Sequence, residues 1–195
     1  MRPVKKIVVI GPESTGKSTL CEQLAAAFDT IWCPEYAREY LLKYGMEYSY
    51  EDLLTIAKGQ VTLEERYLKR AANVQQETPD SRLPTPDSIL FIDTDQWVMK
   101  VWSEFVFGKC NQWILDQIVL RNYDLYLLCN TDLLWVRDEL REYPDLENRE
   151  RLFHIYKDIM INQQIPWVEI SGNNEQRFSM AKNAVDQFIR QHSLD

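Results

Sequence analysis

The chain has 195 residues, 45% hydrophobic and 27% charged, which suits one compact domain. Its 22 Lys and Arg against 30 Asp and Glu give a formal net charge of −8, which argues against nucleic acids and anionic membranes as partners. The 4 cysteines form no CxxC pair and only 2 histidines accompany them, so a reduced, cytoplasmic protein without a zinc site is predicted. No apolar run approaches the ~18 residues of a membrane span.

The first half of the chain alternates between strand and helix signals. A β-branched run that ends at Gly11 predicts a strand buried on both faces, and apolar residues at helical spacing follow it. The predicted elements are a strand over 4–10, a helix over 17–28, a strand over 31–33, helices over 35–43 and 50–72, and a surface loop over 73–88.

The second half continues the same alternation. The predicted elements are a strand over 89–92, helices over 96–107 and 112–121, a strand over 123–129, a charged stretch over 132–151 followed by a helix to about 162, a strand over 167–170 and a helix over 176–190. The whole pattern predicts an α/β fold, in which one domain over 1–195 has a five-stranded parallel sheet with helices on both faces. Ligands of such sheets bind at the carboxyl ends of the strands.

The loop after the first strand carries the strongest motif. Residues 11–18 read GPESTGKS and match the P-loop pattern G-x-x-x-x-G-K-[ST] between a predicted strand and a predicted helix. Its glycines let backbone N–H groups converge on phosphate oxygens, its lysine neutralises phosphate charge, and its serine binds Mg²⁺. The alternative is a glycine turn with an ordinary capping serine. The residues predicted to bind nucleotide are Gly11, Glu13, Ser14, Thr15, Gly16, Lys17, Ser18 and Thr19.

Two carboxylates follow the third strand. Asp93 is expected to hold Mg²⁺ as a Walker B residue, whereas Asp95 is either a second metal or substrate carboxylate or the cap of the next helix. Residues 93–96 read DTDQ rather than D-x-x-G, and no N-K-x-D motif is present, so a GTPase is not predicted. The chain is short and acidic, which argues against a remodelling ATPase. A small-molecule kinase that uses ATP and Mg²⁺ remains.

Such a kinase must keep water away from the activated phosphoryl group, commonly with an arginine-bearing lid. The segment over about 132–151 is the predicted lid. Its arginines are Arg137, Arg141, Arg149 and Arg151. We expect Arg141 and one of the last two to be functional, although the same charges would also suit a solvated helix face.

The helix after the second strand offers an acceptor site. Glu35 and Arg38 share a helix face, so a carboxylate and a guanidinium can point together into the cleft beside the P-loop. Such a pair can bind sugar hydroxyls and deprotonate one of them. The alternative is a surface salt bridge.

The combination of motifs resembles the ribosylnicotinamide kinase family. Besides the P-loop, the resemblance rests on residues 35–39 (EYARE), 91–95 (FIDTD), 130–132 (NTD) and 135–141 (WVRDELR). It implies a five-stranded P-loop kinase fold and transfer of phosphate from ATP–Mg²⁺ to the ribose 5′-hydroxyl of nicotinamide riboside. Two positions depart from the family pattern, Pro34 in place of an aromatic residue and Glu139 in place of glycine.

The resulting hypothesis assigns a role to each residue. The predicted catalytic residues are Lys17, Glu35, Asp93 and Arg141, the metal ligands Ser18 and Asp93, and the acceptor-binding residues Glu35, Tyr36, Arg38 and Asp95. Tyr36, Trp97 or Trp102 is expected to stack on the base, and residues 171–173 to contact adenine. Two alternatives stay open: a kinase for another nucleoside or nucleotide, and an ATPase module acting through a protein partner. A homo-oligomer is also left open.

Overall fold

The computed structural model describes residues 3–74, 88–136, 140 and 145–192. The strands are Lys5–Ile10 (β1), Ile31–Cys33 (β2), Ile89–Asp93 (β3), Leu125–Cys129 (β4) and Trp167–Ile170 (β5). The helices are Lys17–Ala27 (α1), Tyr36–Tyr44 (α2), Tyr50–Val74 (α3), Gln96–Phe107 (α4), Gln112–Leu120 (α5), Leu146–Asn162 (α6) and Asn174–His192 (α7).

The strands form a parallel sheet in the order β2-β3-β1-β4-β5. This confirms the predicted five-stranded parallel sheet. The central strand β1 pairs with β3 so that Val9 lies opposite Asp93. The loop that follows β1 therefore begins beside the carboxylate that ends β3, at the edge of the sheet where such folds bind ligands.

The predicted helices on both faces of the sheet are also confirmed. The side chains of β1 alternate between these two faces, and each face is covered by helices. Ile7 and Val9 point to one face, where they pack with residues of α1 and α7. Val8 and Ile10 point to the other face and pack with residues of α3, α4 and α6. All four side chains are fully buried, and each contributes about 1.5–3 kcal/mol to the hydrophobic free energy of folding.

Some element bounds differ from the prediction for local reasons. β4 begins at Leu125 rather than at 123, because the Asp124 carboxylate accepts a hydrogen bond from the Lys6 N–H at 2.8 Å and so takes the place of a strand partner.

α6 begins at Leu146 because the Asp145 side chain caps it by accepting from the Asn148 N–H at 2.8 Å. α3 runs on to Val74, and the remainder of the predicted loop, 75–87, lies outside the described residues.

None of the helices that the structure describes combines the length and the apolar character that crossing a bilayer requires.

Candidate active site

A cavity of about 430 Å³ lies at the carboxyl ends of the strands. All eight residues predicted to bind nucleotide line it, from Gly11 to Thr19. On the same cavity lie Glu35 and Arg38 from the start of α2, and Asp93 from the end of β3. The structure thus brings together a phosphate loop, a carboxylate–guanidinium pair and a strand-end aspartate that are widely separated in the sequence.

The two glycines of the P-loop hold conformations that other residues rarely adopt. Gly11 has φ +142°, and a Cβ atom there would lie 2.6 Å from the main-chain oxygen of Cys129 in β4. Gly16 has φ +77° and occupies the N-cap position of α1. The loop can therefore sit against the sheet and turn its N–H groups toward a ligand only because neither position carries a side chain.

Lys17 and Ser18 open α1 and face this loop and the end of β3. The Lys17 ammonium group donates to the main-chain oxygen of Pro12 at 2.9 Å, and the Ser18 hydroxyl donates to Asp93 Oδ2 at 2.5 Å. Asp93 is fully buried, and burial raises the pKa of its carboxyl, opposed by the Lys17 charge and the Ser18 hydrogen bond.

The Ser18–Asp93 pair fits Mg²⁺. A hydroxyl and a carboxylate in direct contact are the hard oxygen ligands that Mg²⁺ prefers, and such sites complete their coordination with phosphate oxygens and water. Within the part of the chain that the structure describes, no group of three or more His, Cys, Asp and Glu side chains could hold a metal by itself.

Glu35 occupies the N-cap position of α2, directly after Pro34 ends the β2 segment. Burial raises the pKa of its carboxyl, and the negative charge of Asp93 raises it further, whereas Lys17, Arg38 and a hydrogen bond with the Thr94 side chain lower it. A carboxyl whose pKa is moved toward neutrality can exchange a proton with an alcohol more readily than an ordinary glutamate.

The Thr94 side chain contacts the carboxylates of both Glu35 and Asp93, and its backbone is strained. Its φ of +75° lies in the left-handed region, which costs a β-branched residue about 1–3 kcal/mol. Its N–H donates to the Val9 oxygen at 3.3 Å, and its hydroxyl donates to Asp93 Oδ1 at 3.4 Å. The turn after β3 is therefore held in a fixed conformation beside the P-loop strand.

Two residues predicted to bind the acceptor do not line the cavity. Asp95 is 1% exposed; its carboxylate caps α4 by accepting from the N–H groups of Trp97 and Val98, and it also accepts from the Tyr126 hydroxyl at 2.8 Å. This is the capping alternative that the sequence left open. The Tyr36 ring packs against α3 at Gly59. Both side chains are directed away from the cavity by the elements they stabilise.

One part of the cavity lining is apolar and aromatic. It is formed by Trp32, Ala37, Leu41, Met46, Val98, Trp102, Phe105, Leu140, Leu152 and Tyr156. Of the three aromatic residues predicted to stack on a base, Trp102 is on this wall and Tyr36 and Trp97 are not. The Trp102 indole N–H donates to the Tyr48 hydroxyl at 2.8 Å, which fixes the ring plane.

The arginines of the predicted lid fall into three groups. Arg137 and Arg141 lie outside the described residues, as does Glu139. Arg149 is 2% exposed and donates to the main-chain oxygens of Ser14, Thr131 and Leu133 at 3.2–3.4 Å, so it holds the P-loop to the segment after β4. Arg151 is exposed, and its guanidinium lies over the Phe105 ring.

A second buried arginine, Arg177, was not singled out by the sequence analysis. It is 3% exposed and donates to the main-chain oxygens of Thr15 at 2.9 Å, Asn130 at 2.8 Å and Gly172 at 2.8 Å, and it pairs with the Asp132 carboxylate. A signal was present, because position 177 shares a helical face with the buried residues of α7 at 181, 185 and 188. The turn over 171–173 is thereby tied to the P-loop; its contact with adenine stays a prediction.

This fold and this site define a P-loop nucleotide-binding domain. A family model described as "AAA domain" matches residues 6–177, and the chain belongs to that family.

The chain is also similar to individual proteins. It is 25% identical over 171 residues to the "Trifunctional NAD biosynthesis/regulator protein NadR" of Salmonella typhimurium strain LT2, a match that covers 86% of this chain and 38% of that protein. The crystal structure of a NadR protein in complex with NR superimposes with a TM-score of 0.73 at 21% identity, over 95% of this chain and 52% of that one. A NadR structure in complex with NAD and AMP-PNP gives a TM-score of 0.68 at 23% identity, over 95% and 49% of the two chains. The chain therefore spans well under two thirds of these relatives.

Proposed function

We propose that the protein is an ATP-dependent kinase that transfers a phosphoryl group to the ribose 5′-hydroxyl of nicotinamide riboside. The observation that carries this proposal is a single cavity whose lining combines a phosphate-binding loop, an apolar and aromatic wall, and Glu35 with Asp93. The similarity of the chain to NadR proteins solved with NR and with AMP-PNP supports this choice of acceptor and donor.

The P-loop is suited to the donor. The N–H groups of the loop and the start of α1 bind phosphate oxygens, and the Lys17 ammonium exchanges its bond to Pro12 for the terminal phosphates. Ser18 and Asp93 would hold Mg²⁺, which when bound neutralises charge on the phosphates. Arg149 and Arg177 keep the loop in place through its main-chain oxygens.

Glu35 is suited to the acceptor. Its carboxylate, with its pKa raised, orients the 5′-hydroxyl and takes its proton as the oxygen attacks phosphorus. Arg38 lies on the same cavity and compensates negative charge there. The aromatic wall with Trp102 stacks on the pyridine ring, whose positive charge strengthens the contact. Tyr36 and Asp95 are left out of this set because they do not reach the cavity.

We further propose a cytoplasmic location. The four cysteines, Cys21, Cys33, Cys110 and Cys129, are all free thiols, as expected in a reducing compartment.

The test is an acceptor panel with ATP and Mg²⁺ in which products are detected by mass. Phosphorylated nicotinamide riboside is the expected product. Product from uridine or thymidine but none from nicotinamide riboside would replace the acceptor and keep the reaction class. ATP hydrolysis that no acceptor alters would reject the kinase altogether.

A further inference from the structure

Gln60, in the middle of α3, contacts the main chain on both sides of Glu35. The residue is 1% exposed. Its Oε1 accepts from the Tyr36 N–H at 2.7 Å, and its Nε2 donates to the main-chain oxygen of Pro34 at 3.4 Å. One side-chain amide thus satisfies the polar groups that precede and follow the candidate base in the chain.

The same amide reaches the neighbouring strand. Gln60 Nε2 also lies 3.4 Å from the main-chain oxygen of Asp93, to which it donates. The turn that carries Glu35 and the strand end that carries the metal-ligand candidate are therefore joined through a single side chain. Gln60 does not line the cavity, so it can act on a bound molecule only through the residues that do.

Gly59, the residue before it, makes room for the same turn. A Cβ atom at position 59 would lie 2.0 Å from Tyr36 Cε1, well inside any allowed contact. Glycine is a poor helix former, yet here it lies in the interior of a 25-residue helix. Its lack of a side chain lets the Tyr36 ring pack onto the helix and draws the start of α2 close to Gln60.

We propose that Gly59 and Gln60 form a positioning element for Glu35, which sets the distance of its carboxylate from Lys17 and Asp93. The inference rests on the proposed function, in which Glu35 acts on the acceptor hydroxyl. It predicts that damage to Gln60 matters only while Glu35 is present to be positioned. A residue that merely stabilised the fold would matter equally with or without Glu35.

The test is a double-mutant cycle of Gln60→Met and Glu35→Gln, with kcat for nicotinamide riboside, KM for ATP and melting temperature measured for each enzyme. Methionine keeps the length of glutamine but neither its donor nor its acceptor. We expect Glu35→Gln to lower kcat by about 100-fold or more, the usual contribution of a general base. Gln60→Met should lower kcat about tenfold in the wild-type background, leave KM for ATP within about threefold, and have almost no effect on kcat in the Glu35→Gln background.

Two further variants keep the result interpretable. Gly59→Ala gains helix propensity but forces the Tyr36 ring to move, so it disturbs the same turn without removing a hydrogen bond. It should give the same background-dependent loss of kcat, and its melting temperature shows whether it is folded. Gln187→Met makes the matched change at an exposed position of α7 and should leave kcat unchanged.

The outcomes are separable. The positioning element is overturned if Gln60→Met or Gly59→Ala lowers kcat equally in the wild-type and Glu35→Gln backgrounds. It is also overturned if both variants keep wild-type kcat. In either case Glu35 keeps its role. Wild-type kcat in Glu35→Gln removes the role of Glu35 itself, and the positioning element falls with it.

Discussion

The guanidinium of Arg177 donates a hydrogen bond to the main-chain oxygen of Thr15 at 2.9 Å, although 162 residues separate the two in the chain. The same guanidinium binds main-chain oxygens of the segments after β4 and β5. The last helix is therefore part of the support of the phosphate loop.

Replacement of Arg177 by methionine is expected to weaken both the fold and nucleotide binding. The change leaves several buried carbonyl groups without a donor, and each lost partner costs about 1–3 kcal/mol. Urea denaturation should show a free energy of unfolding lower by at least about 2 kcal/mol, and KM for ATP should rise. Arg190→Met, at an exposed position of the same helix, is the matched control. Wild-type values of both quantities in Arg177→Met would contradict the support role.

Lys17→Ala tests the phosphate loop itself. The Lys17 ammonium is placed beside the loop by its bond to the Pro12 oxygen, where it can follow charge as it develops on the transferring group. We expect turnover to fall at least about 100-fold, which is about 2.7 kcal/mol of transition-state stabilisation. Circular dichroism should show an intact fold, and near-normal turnover would invalidate the assignment.

The stability of the ligand-free protein in a chelator should fall as pH rises from 5 to 7. Burial raises the pKa of Asp95 to about 7 from its usual 3.8. Between those values the folded chain holds a proton that the unfolded chain releases, so the free energy of unfolding decreases with pH, by at most about 1.4 kcal/mol per unit for this group.

Asp95→Asn isolates that contribution. The amide is neutral at every pH and can still cap α4, so the decrease in unfolding free energy between pH 5 and 7 should become shallower. The carboxyls of Glu35 and Asp93, whose pKa values are also raised, are present in both proteins, so the difference between the two slopes reports Asp95. Asp52 and Asp145 do not contribute in this window, because hydrogen bonds lower their pKa values and their stabilisation is lost only at lower pH. An identical pH slope in the variant and the wild type would rule out a protonated Asp95.

Trp102→Ala should affect the acceptor and spare the donor. The ring lies on the aromatic wall of the cavity and stacking is worth about 1–3 kcal/mol per base, so KM for nicotinamide riboside should rise about tenfold or more. KM for ATP should stay within about twofold of the wild-type value, because the change leaves Lys17, Ser18 and the rest of the P-loop intact. The comparison variant is Trp97→Ala, which removes an indole that does not line the cavity. An acceptor KM that moves equally in both variants would show that the effect is not specific to the wall.

The fold could be predicted almost completely because its signals are local. The β-branched run of β1 and the glycine-rich turn after it lie within 15 consecutive residues. A buried strand followed at once by a P-loop motif and a helix is enough to predict the fold. Element bounds were less predictable where a single side chain decides them, as Asp124 does for β4 and Asp145 for α6. Strand order could not be read from the sequence, since it depends on which crossovers pack best.

The site was predictable only in part. The direction in which a side chain points, and its contacts with residues distant in the sequence, are not local properties. Asp93 ends β3 and Asp95 lies two residues further on, yet the left-handed backbone of Thr94 between them directs Asp93 to the cavity and Asp95 to the cap of α4. Gln60 and Arg177 are buried polar residues of helices. Most of their partners are main-chain oxygens and N–H groups, which almost every residue carries and no sequence pattern reveals.

The strand order also separates the residues that position Glu35 from those that support the P-loop. Glu35 and its supports follow β2 at one margin of the sheet, whereas Arg177 and the segments it joins follow β4 and β5 at the other. Substitutions in α2 and α4 can therefore change which alcohol is accepted while Arg177 still holds the P-loop. A laboratory selection for new acceptors should find its successful changes in α2 and α4, which line the aromatic wall, and few in α7.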